Sequence, residues 1–365
     1  MESALEQEPR KLKGLLLAGG KGTRLRPFTY TGAKQLVALA NRPILFHAID
    51  QLTTCGITEL GIVVGETKEE VMAAVGDGSQ FGAKITFIEQ SAPLGIAHAV
   101  KIAEDFIGSD PFVLFLGDNI LKEGIGRYVE QFQTGCHNGL VLLYPVDEPQ
   151  NFGVAELDGD KLIRVVEKPR DPPSNMAVIG IYFFDSTVFD AIRRVKPSAR
   201  GELEITDTIQ RLIDDGLDVR AEVISGRWID TGKHDDLLEA NHLLLEDLEP
   251  ELAGRHDDAS TIQGRVVLQE GSEVINSRIQ GPVIIGERTR VVNSFIGPFT
   301  SINHDCLIAD TEISGSVVLE HTTIEQVDGR IEHSLIGRNV ELRGHQRRPH
   351  GYELILGDFS KLRTP

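Results

Sequence analysis

Gly14-Leu15-Leu16-Leu17-Ala18-Gly19-Gly20-Lys21-Gly22-Thr23-Arg24-Leu25 is the stretch that decides the fold. Its apolar start reads as a buried strand. The run stops at three glycines within four residues, and an arginine follows. Glycines at such a point let backbone N–H groups approach an anion closely, because no Cβ intervenes. Arg24 adds a forked cation suited to phosphate oxygens. No Gly-Lys-Ser/Thr follows, so this is not a Walker A loop. Leu25 stands where a dinucleotide fingerprint needs its third glycine. A strand feeding a phosphate cradle near the start of an α/β domain is what remains.

Outward from this loop, apolar strand-like runs alternate with helical patterns as far as about Ser225. The strand candidates are Leu15–Leu17, Leu60–Val64, Ile85–Ile88, Phe112–Leu116, Leu140–Tyr144 and Val178–Phe184. Helices fall between them, such as residues 44–54, closed by Gly56, and 67–75, where Thr67 and Glu70 are spaced as a capping box. This alternation predicts an α/β, Rossmann-like, mostly parallel sheet with helices on both faces. Ligands in such sheets sit at the carboxyl ends of the strands. Both the glycine loop and Asp118 occupy such ends. Residues 233–248 carry leucines at 237, 238, 244, 245 and 248 and read as an amphipathic helix.

From about Thr261 the texture changes. Single apolar residues recur every five or six positions, from Ile262, Leu268 and Val274 through to Val318 and Ile324. Three such steps make a longer repeat, visible in Ser277-Arg278-Ile279-Gln280-Gly281-Pro282 and Ser294-Phe295-Ile296-Gly297-Pro298. Tripled steps of this kind are the mark of a parallel β-helix, in which each coil stacks on the next. The expected division is therefore a catalytic domain over 12–248, a polar linker over 249–260, a β-helix of about five coils over 261–345, and a tail over 346–365.

Composition narrows the function classes. The chain has 365 residues, 41% of them hydrophobic, enough for two packed cores. A net charge of −18 argues against a nucleic-acid surface. Any phosphate site must be a local group of cations on an acidic body. Three scattered cysteines lack metal-ligand spacing and suit a reduced compartment. The polar opening residues and the lack of a long apolar run lead to the expectation of a cytoplasmic protein with no membrane partner.

Four further clusters carry chemistry. Lys34-Gln35 follows the glycine loop. Asp118 ends a buried strand, where a carboxylate can hold Mg²⁺. Glu167-Lys168-Pro169 offers a carboxylate and a cation. Trp228-Ile229-Asp230-Thr231-Gly232 holds the only tryptophan and a second carboxylate. Each has an ordinary structural role as well, as a surface lysine, a capping aspartate, a strand end or an apolar anchor. Together they make a kit for phosphoryl or nucleotidyl transfer. No Ser-His-Asp or Cys-His arrangement is visible.

In these motifs the chain resembles the sugar-1-phosphate nucleotidylyltransferases, and among them the long-form glucose-1-phosphate thymidylyltransferases. The resemblance runs from Lys13 to Lys361. It rests on residues 17–27, on Ala33-Lys34-Gln35-Leu36 and on Gln90-Ser91-Ala92-Pro93-Leu94-Gly95-Ile96-Ala97. It continues through Leu116-Gly117-Asp118-Asn119, Asn151-Phe152-Gly153-Val154 and Glu167-Lys168-Pro169. Gly201-Glu202-Leu203-Glu204-Ile205-Thr206-Asp207 and residues 228–232 complete it.

The resemblance implies a left-handed β-helix and a reaction. The phosphate of glucose 1-phosphate attacks the α-phosphorus of dTTP and expels pyrophosphate, with Mg²⁺ as cofactor. It implies that Arg24, Lys34 and Lys168 are catalytic. Leu17, Ala18, Gly19 and Gly20 hold the nucleotide, and Gln35, Gln90 and Gly95 face the base. Gly153, Glu167, Val178 and Tyr182 line the sugar side, and Asp118 and Asp230 bind the metal. It also implies a homo-oligomer. Ser91-Ala92-Pro93-Leu94-Gly95-Ile96 and Phe152 depart from the short-form pattern, so short-form feedback regulation is not carried over. Two alternatives stand beside this expectation. One is an enzyme using UTP or another nucleotide. The other is a bifunctional chain whose β-helix transfers acyl groups, with His304, His321 or His333 as base.

Overall fold

The computed structural model describes residues 10–20, 22–30, 32–159, 161–344 and 357–362. The chain divides into two compact units. One holds residues 1–21 and 45–230, and the other 22–44 and 231–365.

The first unit is built on a nine-stranded sheet. Its strands are β1 (Lys13–Leu17), β2 (Glu59–Val64), β3 (Lys84–Glu89), β4 (Phe112–Leu116), β6 (Gly139–Pro145), β7 (Gly153–Asp158), β8 (Lys161–Glu167), β9 (Met176–Phe184) and β10 (Val219–Val223). Between β4 and β6 in sequence lies β5 (Asn119–Leu121), which pairs outside this sheet with β11 (Trp228–Asp230). The order is β8-β7-β9-β4-β1-β2-β3, with β6 joining β9 to β10. β4, β1, β2 and β3 run parallel. β9 is antiparallel to β4 and β6, and β7 pairs antiparallel with β8. The sheet is therefore mixed, with the parallel half carrying the glycine loop.

Helices cover both faces, as alternate residues of β1 require. Leu15 joins the core formed with α3 (Ile96–Ile102), α5 (Thr187–Ile192) and α6 (Ile205–Asp214). On the opposite face Gly14 lies under Leu52 of α1 (residues 44–54), where a Cβ would approach the Leu52 side chain to 3.0 Å. α2 spans Lys68–Val75 and α4 spans Gly126–Thr134. The capping box expected at Thr67 is absent: Thr67 makes no side-chain cap bond. Instead Gly65 O accepts the Lys68 N–H at 3.1 Å.

In the second unit, three sheets of six, six and five short parallel strands wrap one apolar core, an arrangement consistent with a left-handed parallel β-helix. Thr261, Arg278, Phe295 and Glu312 stack in register, 17 residues apart. Successive coils send aliphatic residues inward, such as Leu268, Ile279, Ile285 and Val291. Strand residues 251–252 and 255–256 already pair with 267–268 and 273–274. The segment expected as a linker thus contributes to the first coil. Backbone pairing, rather than apolar content, recruits it. Of the expected tail, residues 346–356 and 363–365 lie outside the described residues. Helix α7 (His234–Leu245) packs on the β-helix, where Leu245 meets Val267 and Ile284. No helix among the described residues is long and apolar enough to cross a membrane.

Candidate active site

The pairing of β5 with β11 brings the backbones of two aspartates near each other. Asp230 is registered opposite Asn119, so Asp118 is the next residue along. Asn119 is buried, and both ends of its side-chain amide are bonded. Its Nδ2 donates to Asp118 Oδ1 at 2.9 Å. Its Oδ1 accepts the Trp228 indole N–H at 2.7 Å and the Gly180 N–H at 3.3 Å. Trp228 is held in turn against Tyr144 and Phe152, each with ring centroids 5.8 Å away. Gly117 lets β4 end close to β1: its N–H donates to Leu17 O at 3.0 Å, and a Cβ would lie 2.9 Å from that oxygen. The Leu17 backbone therefore adjoins the Asp118 turn.

A second group lies along β7, β8 and β9. Gly153 pairs with Glu167. A Cβ on Gly153 would land 2.5 Å from Thr206 Cγ2, so a larger residue would displace the wall there. Glu167 Oε1 accepts from Arg200 Nη2 at 2.9 Å, and Oε2 accepts from the Thr206 hydroxyl at 3.1 Å. Lys168 holds a left-handed backbone (φ 41°), with its N–H on Phe152 O and its Nζ 3.6 Å from Glu167 Oε1. Val178 and Tyr182 are both buried on β9. Burial pushes the Tyr182 phenol well above its ordinary range, and the charges of Glu167 and then Asp230 push it further. Tyr182 thus feels both Glu167 and Asp230.

The segment after β3 forms a third group. Gln90 Nε2 donates to Gly95 O at 3.3 Å and lies 3.0 Å from His98 Nδ1. Gly95 has φ +100°, and a Cβ would fall 2.4 Å from Leu203 O. Only glycine is accommodated there. At the end of β1, Ala18 N–H donates to Val63 O at 2.8 Å, Gly19 backs onto Gly65, and Gly20 is exposed.

Arg24, Lys34 and Gln35 belong to the other unit. Gly22 turns left-handed (φ +60°), and a Cβ would come within 2.9 Å of Lys34 Cβ. Gly22 and Lys34 are thereby packed together. Arg24 lays its guanidinium against Gly232, where a Cβ would stand 3.5 Å away. Lys34 and Gln35 are buried, and Gln35 Oε1 has no hydrogen-bond partner among the described residues.

The sequence motifs contain Asn119, Thr206 and Asp207 without a role for them, and Arg200 lies just outside them. Arg200 bridges Glu167 to Glu204 Oε1 at 2.9 Å. Burial raises the Asp207 carboxyl above its usual range, and Glu204 and Glu167 add to the shift. The signal for Asn119, Thr206 and Asp207 was presence in the motifs around Asp118 and Gly201–Asp207; Arg200 carried none.

A family model described as nucleotidyl transferase matches residues 13–247. The chain belongs to the nucleotidyl transferase family. It is similar to glucose-1-phosphate thymidylyltransferases of Streptomyces antibioticus (50% identity) and Streptomyces griseus (49%), in both cases over 96% of this chain and 99% of the relative. Among solved structures it resembles a Bacillus anthracis protein, given provisionally as a glucose-1-phosphate thymidylyltransferase, in complex with a sucrose. That match has 41% identity and a TM-score of 0.61, covering 66% of this chain and 97% of that one. This nucleotidyl transferase is an enzyme whose β-helix extends beyond the matched family region.

Two β-helix histidines lie in one polar cluster with Asp305. His304, Asp305 and His321 each present a ligand-type atom within 4.8 Å of the others. Arg288 already forks onto both Asp305 oxygens at 2.8 Å, and His304 Nδ1 sits 2.7 Å from Oδ2. These contacts, Arg288 first, hold the Asp305 carboxyl well below the usual range. His333 stands beside Gly315 instead.

Proposed function

We propose that this chain is a glucose-1-phosphate thymidylyltransferase dependent on Mg²⁺. A phosphate oxygen of glucose 1-phosphate attacks the α-phosphorus of dTTP. The bond from that phosphorus to the bridging oxygen breaks, and pyrophosphate leaves. dTDP-glucose is the other product. What carries this reading is the similarity at 50% identity, over nearly the whole chain, to a relative bearing that name. The pair Asp118 and Asp230 supports it chemically.

The donor set of Asp118 and Asp230 is oxygen only, which suits Mg²⁺, an ion that usually keeps waters and substrate phosphates. When bound there, the ion supplies positive charge to the reacting phosphates. The remaining work falls to side chains of the chain itself. Arg24 and the N–H groups of Gly19 and Gly20 hold the triphosphate, with Lys34 assisting. Lys168 offsets the charge of the attacking phosphate, which otherwise repels a triphosphate. Glu167, fixed by Arg200 and Thr206, accepts from sugar hydroxyls. Val178 and Tyr182 line the sugar side. Gln35, Gln90 and Gly95 face the base, and Leu17 and Ala18 complete the nucleotide side. No protein nucleophile is required, so rate comes from alignment and electrostatics. These substrates point to a cytoplasmic enzyme, and a homo-oligomer is the accompanying expectation.

The test is product formation. The chain is incubated with dTTP, glucose 1-phosphate and Mg²⁺, and dTDP-glucose is sought by mass. Product that appears only with all three supports the proposal. Its absence under those conditions refutes it.

A further inference from the structure

Arg24, Lys34 and Gln35 lie in a short segment, residues 22–44, that is compact with the β-helix. The anchor is a tight turn at Ala40–Asn41, with φ of 47° and 59°, closing the two-residue strands 38–39 and 42–43. Such left-handed pairs make rigid hairpin turns. Asn41 Nδ2 donates to Ile302 O at 2.7 Å. Ala40 N–H donates to Asn241 Oδ1 at 2.8 Å. Asn241, on α7, is 1% exposed. Its Oδ1 also accepts from the Ser301 hydroxyl at 2.9 Å, and its Nδ2 donates to Phe299 O at 3.3 Å. One buried amide therefore ties the turn, α7 and a β-helix coil to each other.

From this turn the chain runs back only a few residues to Gln35 and Lys34. Val37 closes the single 3₁₀ turn of Lys34–Leu36 by donating its N–H to Lys34 O at 3.1 Å, and it accepts the Ile44 N–H at 3.1 Å. Arg338 of the β-helix reaches Leu36 O at 3.4 Å. Little slack lies between the anchor and the two side chains. A buried network that is fully satisfied fixes geometry, and a broken one releases it.

We propose that Asn41 and Asn241 are positioning residues for nucleotide binding, and that the β-helix serves as the platform that holds the Lys34–Gln35 segment in its working stance. The proposal rests on the reading of Lys34 and Gln35 as nucleotide-handling residues. It gives the β-helix a role in catalysis that needs no chemistry of its own. Neither asparagine touches substrate. Each acts through the turn.

The test uses the full chain with Asn41→Ala and Asn241→Ala, each measured for kcat, for KM with dTTP and with glucose 1-phosphate, and for Tm. Direct titration with dTTP gives binding without turnover. Ile308→Val, trimming a buried methyl elsewhere in the β-helix core, serves as a control for lost stability. The expected result is a rise in KM and Kd for dTTP of roughly fivefold or more, the equivalent of one lost hydrogen bond. KM for glucose 1-phosphate stays within twofold, and Ile308→Val leaves both unchanged. If the asparagine variants lower Tm yet keep the dTTP constants of wild type, the positioning role is overturned. If wild type itself fails to bind dTTP, the underlying assignment of the segment falls instead.

Discussion

Replacing Gly95 with alanine puts a number on the base-side wall. Gly95 has φ +100° and ψ 168°, a backbone region open essentially to glycine alone. Holding alanine there costs about 1–3 kcal/mol. The new Cβ would also sit 2.4 Å from Leu203 O and 2.8 Å from Leu203 N. That clash is with backbone, so no rotamer relieves it. Leu203 is itself tied, donating its N–H to Leu94 O at 2.8 Å and accepting the Ala97 N–H at 3.1 Å. Relief by displacement adds an overpacking cost of about 1–3 kcal/mol. The sum is about 2–6 kcal/mol, a large part of the roughly 5–15 kcal/mol that holds a typical domain. Gly108→Ala is the matched control, with φ +65° and nothing within 4 Å of its Cβ. Its backbone, at φ +65° and ψ −130°, also favours glycine, so the control carries a backbone cost of about 1–3 kcal/mol with no clash added. Trp228 is the only tryptophan and lies in the same unit, so its fluorescence during urea unfolding reports on both variants. Gly95→Ala is expected to lose at least about 1 kcal/mol more than Gly108→Ala, as the added overpacking demands. It is also expected to raise KM for dTTP, because the Gln90 bond to Gly95 O shifts with the backbone. Equal stabilities of the two variants would refute the contact reasoning.

Three further perturbations probe other parts of the site. Trp228→Phe keeps a ring beside Tyr144 and Phe152 but removes the indole N–H from Asn119 Oδ1, and is expected to cost about 1–3 kcal/mol. It should lower kcat more than it changes either KM, since Asn119 orients Asp118; unchanged turnover by pyrophosphate release would contradict this. Asp118→Asn and Asp230→Asn are each expected to cut turnover on the order of 100-fold, as loss of a charge-stabilising group does, with circular dichroism unaltered. Wild-type rates in either variant would remove that residue from the metal site. Burial pushes the Cys306 thiol up to about 11, so below that pH it stays protonated and unreactive. A thiol titration at pH 8 is expected to show Cys136, which is exposed, reacting first and Cys306 only after denaturation; fast reaction of Cys306 in the folded chain would contradict its burial.

Much of the fold was legible because burial leaves a plain mark. All six apolar runs are strands; five are mostly buried, and the sixth, Ile85–Ile88, is a half-exposed strand at the sheet edge. β7, β8 and β10 were missed because they carry charged residues and bury only some positions, as in Val219-Arg220-Ala221-Glu222-Val223. The β-helix repeat was visible because each side of a coil must send an apolar residue inward. Its first coil was not visible, because Arg255 and His256 join by backbone pairing and are exposed. In the site, Asp118 and Asp230 stood out as carboxylates after apolar runs. Asn119 did not, since an asparagine gains its meaning only from the Trp228 and Gly180 bonds it makes across strands. The grouping of Arg24, Lys34 and Gln35 with the β-helix depends on Asn41 and Asn241, residues 200 positions apart in the chain, a coupling that local pattern does not encode.

Nucleotide choice is the most direct test of the central claim. Thymine and uracil differ by one methyl, worth only about 1–3 kcal/mol in a pocket, so some use of UTP is compatible with a thymidylyltransferase. Pyrophosphate release is to be measured with glucose 1-phosphate and Mg²⁺ against dTTP, UTP, CTP, ATP and GTP at equal concentration. The predicted result is the highest kcat/KM with dTTP and a lesser rate with UTP. A clear lead for any other nucleotide, or no release with any of the five, would contradict the proposed function.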